Sequence, residues 1–440
     1  MGDGQQPEAA VDKLAMSKAM WRILPLILLA YVVAYMDRVN VSFAAIQMNV
    51  DLKFSATVYG LGSGLFFFGY ALFEVPSGAM AVRFGPRQWL ARIMITWGLL
   101  AVGMMFIRTP IQFYTMRFLL GVAEAGFFPG LIYYFAGWFP MAYRGRALSR
   151  IYIAPPLAFV AMGGISAWLL DLDGLYGWQG WQWLFLAQGL PAVAMGLVIW
   201  RFLPDSPATV PWLADPEKAW IQSELARDTA LIGEPEKHNI LATLANPMVL
   251  LFGGTGFLLN GAANGLGLSA PAVLAAKTGL DTHQIGHLVS AGGIIGAICI
   301  LVAGWYSDQH GDRVRDAFIG SVVVAIGLSL ISLGTTPTIV ITGYLLFAAT
   351  TFTTGVLLAS CWADVLHVRQ LAVGCGAINT IWQVGSFLSP YAFGVAKDAT
   401  GSFDAGLIGS SIVAFVLAGY LLYVRARVMG QRRARTLALV

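Results

Sequence analysis

"GAMAVRFGPR", residues 78–87, has a counterpart about half a chain length later in "GWYSDQHGDR", residues 304–313. Both segments open with a glycine. Both carry a second glycine seven positions on, at Gly85 and Gly311, and an arginine nine positions on, at Arg87 and Arg313. Either segment alone would be explained as a tight turn with basic residues. Because the match occurs twice at corresponding places, it indicates a chain built from two similar halves.

The composition places these halves in a membrane. Of the 440 residues, 58% are hydrophobic and 11% are charged, and the mean hydropathy of +0.70 lies outside the range of soluble globular proteins. A helix needs roughly 20 apolar residues to cross the hydrocarbon core. The sequence therefore predicts an all-α integral membrane protein with twelve transmembrane helices, at residues 22–43, 57–80, 89–108, 111–137, 147–170, 182–203, 247–270, 284–305, 316–335, 337–361, 371–396 and 404–426.

One long polar segment separates six spans from six. We predict an N-terminal tail (1–21), a first bundle (22–203), a linker (204–246), a second bundle (247–426) and a C-terminal tail (427–440). Lys and Arg concentrate in the tails, the linker and alternate loops, which predicts that both termini are cytoplasmic. This distribution explains the net charge of +4 without a nucleic-acid partner. The cysteines, Cys299, Cys361 and Cys375, form no close pair in sequence, so neither a disulfide framework nor a metal site is expected.

Four ionisable residues interrupt the first bundle at membrane depth. Asp37 and Arg38 are adjacent in "YMDRVNVSFA", and Arg117 and Glu124 lie in "RFLLGVAEAGFFPG". Charges within a membrane are costly and by default mark a functional site. Arg117 and Glu124 are two helical turns apart, about 10 Å along one helix face. They can therefore line one cavity without neutralising each other.

The four charges sum to zero, so each acid can pair with one arginine. Protonation of Asp37 or Glu124 would then release a guanidinium, whose planar fork matches a carboxylate. The alternative is that Asp37–Arg38 and Arg117–Glu124 are buried ion pairs that only hold helices together. Buried pairs add little net stability because desolvation offsets their attraction. The sequence therefore favours a functional role for the four charges.

Uncharged polar residues at membrane depth are further candidates for ligand contact. In the second half, two pairs one helical turn apart each share a face. The candidates are Tyr35, Tyr70, Asn260, Asn264, Asn379 and Gln383, with Ser360 and Trp362 at the end of the tenth span. Hydrogen bonding between helices, or the position of an aromatic ring at the membrane interface, explains each of them about as well as ligand contact does. Glu74, just before Pro76, is assigned instead to the loop network at the cytoplasmic end.

The doubled loop resembles the Gly-x-x-x-Asp-x-x-Gly-x-Arg signature of the major facilitator superfamily, and the resemblance covers essentially the whole chain. It implies two six-helix bundles related by pseudo-two-fold symmetry, with inverted repeats within each half, that work by alternating access. The first loop departs from the signature at Val82, where the family has an aspartate that helps to lock one conformation. The residues that the resemblance assigns to the two conformational gates are Gly78, Arg83, Gly85, Arg87, Gly304, Asp308, Gly311 and Arg313.

A closer resemblance rests on "YMDRVNVSFA", "MRFLLGVAEAGFFPG", "YYFAGWFPMAYRGRA" and "FLPDSP", which together are similar to the anion:cation symporter family. In addition, "GWQGWQWLFLAQGLPAV" resembles the branch associated with tartrate, phthalate and hydroxyphenylacetate uptake. The resemblance implies that Asp37 and Glu124 couple transport to protons and that Arg38 and Arg117 supply the cationic part of the site. It also implies substrate contacts by Tyr35, Tyr70 and Asn379.

The sequence thus favours a symporter, not an enzyme, that imports a small organic carboxylate with protons across a bacterial inner membrane. Tartrate-like hydroxy acids, sugar acids and aromatic carboxylates are the expected substrates. We expect a monomer among membrane lipids, driven by the proton gradient without a cofactor. One alternative is an exporter or antiporter of organic anions or amphipathic compounds. A membrane-embedded enzyme is less favoured, because the sequence has no His, Cys and Asp cluster of the kind that catalysis would need.

Overall fold

The computed structural model describes residues 5–232, 245–362 and 371–437, and within these ranges the chain is helical apart from turns. The first half consists of α1 (Gln5–Asp51), α2 (Ala56–Phe84), α3 (Pro86–Gly103), α4 (Pro110–Glu124), α5 (Phe127–Ala136), α6 (Met141–Ile151), α7 (Ala154–Leu170) and α8 (Gly180–Phe202). The linker contains α9 (Asp215–Ile232). The second half consists of α10 (Pro247–Thr278), α11 (Thr282–His310), α12 (Arg313–Leu333), α13 (Pro337–Ser360), α14 (Leu371–Thr400) and α15 (Asp404–Leu437).

The prediction of twelve spans is confirmed. Ten spans are single helices, the fourth is built from α4 and α5, and the fifth from α6 and α7. Within the described ranges, eleven segments are long and apolar enough to cross a membrane, and α14 takes the place of the predicted span 371–396. The outermost helices are longer than predicted, because α1 and α15 continue into the predicted tails. Residues 233–244 of the predicted linker lie outside the described part of the chain.

The two halves meet mainly along two helix pairs, α2 with α14 and α7 with α11, and less extensively between α1 and α10. We call the end of the bundle that carries the linker and residues 78–87 and 304–313 the linker end. The opposite end, where α1 turns into α2, is the far end. α2 and α14 run antiparallel at close range, because Gly60 presents no side chain: a Cβ there would lie 2.2 Å from the Pro390 carbonyl oxygen.

Hydrogen bonds between the halves close the far end. The Asp398 carboxylate of α14 accepts from the Thr57 amide at the start of α2 at 2.8 Å. The Tyr59 hydroxyl of α2 donates to the Leu268 carbonyl of α10 at 2.6 Å. Two further contacts join α7 to α11, His283 with Asp171 at 2.7 Å and Ser290 with the Val160 carbonyl at 2.9 Å.

The two gate loops at the linker end hold their arginines differently. In the second loop, Arg313 forms an ion pair with Asp308 at 3.1 Å. In the first loop, the position of that aspartate belongs to Val82, whose side chain is 58% exposed. Arg87 instead forms an ion pair with Asp205, in the chain that leaves α8, at 2.9 Å. The acid partner missing from the first loop is therefore supplied by the "FLPDSP" segment.

The linker is tied to α1 by an ion pair between Lys18 and Glu217 of α9 at 2.7 Å. The Glu217 carboxylate also accepts a hydrogen bond from the Ala214 amide at 2.8 Å. Burial by itself would raise the pKa of Glu217, but the contacts with Lys18 and Ala214 outweigh it and hold the pKa below its usual value. The contact thus links the first helix to the segment that joins the two halves.

Candidate functional site

A break in the fourth span positions Glu124. Glu124 is the last residue of α4, and Ala125 leaves the helix with ψ 134°. Gly126 follows in the left-handed region with φ 87°, before α5 begins. The Ser77 hydroxyl of α2 donates to the Ala125 carbonyl at 2.5 Å, which satisfies the acceptor that the break leaves free. A Cβ at Gly126 would lie 2.1 Å from this hydroxyl, so both the backbone angle and the close contact require glycine.

Glu124 pairs with Arg38 across the interior of the first half. The Arg38 Nε donates to the Glu124 Oε1 at 2.7 Å, and the Nη2 contacts the same oxygen. The Glu124 side chain is 1% exposed, and its Oε2 has no hydrogen-bond partner among the described residues. Two nitrogens of the Arg38 guanidinium thus contact one oxygen of Glu124. The second oxygen of this buried carboxylate can accept a further hydrogen bond or a proton.

Aromatic rings surround the Arg38 guanidinium. Its central carbon lies 4.9 Å from the ring centroid of Tyr35, 5.1 Å from that of Tyr70 and 5.6 Å from that of Phe66. Rings at this range attract a cation through their negative faces. Two of the sequence candidates, Tyr35 and Tyr70, therefore lie at the site of the four charges.

Asp37 is held by neutral donors. Its two oxygens accept hydrogen bonds from the Trp97 indole of α3 at 2.8 Å and from the Asn40 amide at 3.0 Å. Within the described ranges Asp37 has no ion pair within 4 Å, although it lies directly beside Arg38 in sequence. Neither of the ion pairs considered as a purely structural alternative, Asp37–Arg38 and Arg117–Glu124, is therefore observed. Arg38 pairs with Glu124, and Asp37 accepts hydrogen bonds from neutral groups.

Arg117 is the cation of the site that keeps unused donors. Its side chain is buried, with 1% exposed. Its Nε and Nη1 have no hydrogen-bond partner in the described part of the chain. Its guanidinium lies 5.0 Å from the Phe66 ring centroid, on which Arg38 also packs. A buried guanidinium with free N–H groups is a site at which a carboxylate would gain two charge-assisted hydrogen bonds.

In the second half, three of the predicted polar residues form one cluster between α10 and α14. The Asn260 and Asn264 amides donate to the Ser386 hydroxyl at 2.9 and 3.2 Å. Ser386 in turn donates to the Gln383 side-chain oxygen at 3.1 Å. These contacts are of the helix-joining kind.

Among the described residues, the two predicted residues at the end of α13 form no side-chain hydrogen bond with this cluster. The Ser360 hydroxyl donates to the Val356 carbonyl of its own helix at 2.7 Å. The Trp362 ring packs edge-on against Trp382, with centroids 5.1 Å apart. The amino-acid sequence alone could not distinguish these positions from the other candidates, because all of them lie on apolar spans.

Asn379 reaches the other half of the protein. Its side-chain nitrogen donates to both carboxylate oxygens of Glu74 on α2, at 2.6 and 2.8 Å. The assignment of Glu74 to the loop network is therefore wrong: its side chain is only 4% exposed and faces α14. The sequence contained one usable signal, because Glu74 is one turn from Tyr70 and shares its helix face.

Three other residues of the site went unnoticed in the sequence. Asn40 is three residues after Asp37 and so lies on the same face of α1, which is a readable signal. Trp97 and Phe66 carried none, because their contacts with Asp37 and the arginines depend on how α2 and α3 pack against α1. Among the described residues, no group of three or more His, Cys, Asp or Glu side chains could hold a metal ion.

Comparisons with known proteins agree with this architecture. The family model described as Major Facilitator Superfamily matches residues 27–390. A protein of Agrobacterium vitis named "Putative tartrate transporter" is 38% identical over 422 residues, which cover 92% of this chain and 95% of the relative. A protein of Acinetobacter baumannii named "Quinolone resistance transporter" is 34% identical, covering 94% of this chain and 96% of the relative.

Among solved structures, a partially occluded inward open conformation of the xylose transporter XylE from E. coli aligns with a TM-score of 0.75. The alignment covers 92% of this chain and 98% of that chain, at 12% sequence identity. Identity this low shows a shared fold and carries no information about substrate.

Proposed function

Since this chain belongs to the major facilitator superfamily, we propose that it imports a small organic carboxylate together with protons across a bacterial inner membrane. Membership makes the chain a multi-pass membrane transporter of small organic molecules, and not an enzyme. The substrate class, the proton coupling and the cytoplasmic position of both termini belong to the proposal.

The observation that carries the proposal is the buried Arg117 beside the Arg38–Glu124 pair, with two nitrogens that have no hydrogen-bond partner among the residues that the structure describes. An entering carboxylate would complete the hydrogen bonding of Arg117. A proton on Glu124 would weaken the hold of Glu124 on Arg38 and release a second guanidinium toward the substrate. Anion binding and proton binding would then favour each other within one site.

The membrane potential supplies the reason for coupling. With the inside negative, anion entry is opposed by about 2.3 kcal/mol per charge per 100 mV. A proton carried with each negative charge removes this cost, and an additional proton turns the potential into a driving force. Asp37 and Glu124 are the acids in the first half that would carry these protons.

The proposed cycle has two states. With the far end open to the outside, Asp37 and Glu124 take up protons and the substrate carboxylate binds Arg117. The halves then close the far end, as in this structure, and open the linker end to the cytoplasm. There the acids lose their protons, Glu124 recovers Arg38, and the substrate leaves.

Transport in proteoliposomes tests the proposal. We would impose an inward proton gradient and measure uptake of radiolabelled tartrate, galactonate, phthalate and 4-hydroxyphenylacetate, each with and without a protonophore. Arg117→Gln should abolish uptake, and Arg108→Gln, which changes an exposed arginine at the far end, should leave it intact. If all four anions fail to accumulate and preloaded anions leave no faster than from protein-free liposomes, carboxylate transport is excluded for this panel.

A second candidate function is export of amphipathic compounds, which the relative named for quinolone resistance favours. The same liposomes, preloaded with a fluoroquinolone, would distinguish the two. Proton-driven efflux of the drug, with no carboxylate uptake, would support the exporter.

A further inference from the structure

The contact between Glu74 and Asn379 differs in its position along the bundle from the other hydrogen bonds that join the halves. Those described above lie toward the far end, on Thr57, Tyr59, Asp171 and Ser290. Glu74 lies roughly 25 Å further along α2 from Thr57 at 1.5 Å per residue. Among the described residues, the Glu74–Asn379 contact is therefore the interhalf hydrogen bond nearest the linker end.

Glu74 is also connected to the four charges. Tyr70 lies one turn earlier on the same face of α2, and its ring packs against the Arg38 guanidinium at 5.1 Å. Arg38 in turn holds Glu124. Neighbouring groups thus lead from the Arg38–Glu124 pair, by way of Tyr70 and Glu74 on one face of α2, to Asn379 in the second half.

The chemistry of the contact matches that of a bound substrate. The Asn379 nitrogen faces both oxygens of one carboxylate at 2.6 and 2.8 Å, and the carboxylate is buried. A carboxylate of the substrate presents the same two acceptors. Both oxygens of Glu74 lie within hydrogen-bond distance of the single Asn379 nitrogen, whose two hydrogens are its only donors. A substrate carboxylate can therefore accept from Asn379 in the same way only after Glu74 has moved away.

We propose that Glu74 is an internal carboxylate that occupies Asn379 and latches α2 to α14 until a substrate carboxylate displaces it. This inference rests on the proposed function, because it takes the substrate to be a carboxylate. Displacement frees the two helices to separate where the latch lies, so the same event that fills the site loosens the linker end. Glu74 then acts as a positioning residue that sets how strongly a substrate must compete for Asn379.

Binding of tartrate to the purified protein tests the competition, with the wild type, Glu74→Gln, Asn379→Ala and the double variant compared by calorimetry. Gln keeps the size of Glu but loses the charge, so its hydrogen bond to Asn379 is weaker. We expect Glu74→Gln to bind tartrate about three- to tenfold more tightly, the range for one charged hydrogen bond partly retained. In the Asn379→Ala background, Glu74→Gln should not change the affinity for tartrate. An equal gain in both backgrounds, or no gain in either, would overturn the proposal.

A matched control uses the same pair of helices. Asp398→Asn changes the interhalf contact at the far end, where Asp398 of α14 caps α2. It should leave the dependence of tartrate affinity on Asn379 unchanged. If it mimics Glu74→Gln, the effect is one of general interhalf stability, and the latch is rejected.

A second measurement needs no substrate and so separates failure of the latch from failure of the proposed function. Spin labels at Val82 and His310, both exposed at the linker end of different halves, report their separation after Cys299, Cys361 and Cys375 are replaced by Ser. Glu74→Gln should lengthen or broaden this distance in ligand-free protein. An unchanged distance overturns the latch. A lengthened distance in a protein that binds no carboxylate would keep Glu74 as the residue that joins α2 to α14, but it would refute both carboxylate transport and displacement of Glu74 by the substrate.

Discussion

Arg38 of α1 donates a hydrogen bond to Glu124 of α4 at 2.7 Å and does not pair with its sequence neighbour Asp37. Asp37 accepts hydrogen bonds from Trp97 and Asn40 instead. This relationship separates the two acids of the site. Protonation of Glu124 would break its ion pair with Arg38. Asp37 instead accepts hydrogen bonds from two neutral groups and, among the described residues, has no cation within 4 Å. Different roles in the transport cycle follow from this difference.

Glu124→Gln should separate substrate movement from the proton gradient. The amide cannot carry a transported proton, and it no longer neutralises Arg38. We expect proton-driven accumulation to fall by at least about tenfold, because loss of one charge-assisted contact is of this order. Exchange of internal for external substrate, which needs no net proton movement, should persist. Full accumulation by this variant would remove Glu124 from the coupling mechanism.

Asp37→Asn should also abolish proton-driven accumulation, if Asp37 is a required coupling acid. The two neighbouring donors, Trp97 and Asn40, would then share one acceptor oxygen, which costs about 1–3 kcal/mol for the donor left unsatisfied. The apparent melting temperature in detergent should therefore fall as well. Unimpaired accumulation would leave Glu124 to carry coupling alone.

Arg117→Lys keeps the charge but removes the planar fork. A lysine can contact a carboxylate through one point, whereas the arginine offers two parallel N–H groups. We expect the affinity for the transported anion to fall about 10- to 100-fold, from the loss of a charged hydrogen bond. Calorimetric titration measures this loss, and Arg108→Lys at the far end serves as the control. Unchanged affinity would show that Arg117 does not touch the anion.

Gly126→Ala should disturb the position of Glu124 without altering any charged group. Alanine at φ 87° is strained, at a cost of about 1–3 kcal/mol, and its Cβ would overlap the Ser77 hydroxyl. We expect a lower melting temperature and reduced uptake. The matched control is Gly164→Ala in α7, where nothing lies within 4 Å of an added Cβ. Equal effects of the two substitutions would contradict the need for a break after Glu124.

The linker contact should be sensitive to acid. The pKa of Glu217 is lowered in the folded protein, so the contact with Lys18 stabilises the fold fully above the pKa of the unfolded chain, near 4.3. This contribution is lost as the pH falls through the folded pKa. Hydrogen exchange of α9 should therefore accelerate, after correction for intrinsic rates, as the pH falls below about 5 and through the lowered pKa of Glu217. Glu217→Gln should remove this acid-dependent step, and persistence of the step would assign it to another group.

In the first gate loop, an acid that is missing from the loop sequence is replaced by an acid from another part of the chain. The sequence marked Val82 as the missing acid of the first loop, and it offered no replacement. The fold brings Asp205 to Arg87 at 2.9 Å because the end of α8 lies beside the start of α3. Sequence spacing could not predict this pair, since the two residues are more than 100 positions apart.

The sequence by itself determined the twelve spans, the division into two halves and the four charged residues in the first half. Each of these follows from a local quantity: the length of an apolar run, the repetition of a loop or the cost of a charge within lipid. The tertiary structure alone decided that Arg38 pairs with Glu124, that Arg117 has N–H groups without a partner in the described ranges and that Glu74 contacts Asn379. Such pairings depend on how each helix is rotated and packed against its neighbours, and a one-residue change in that rotation turns a side chain by about 100°.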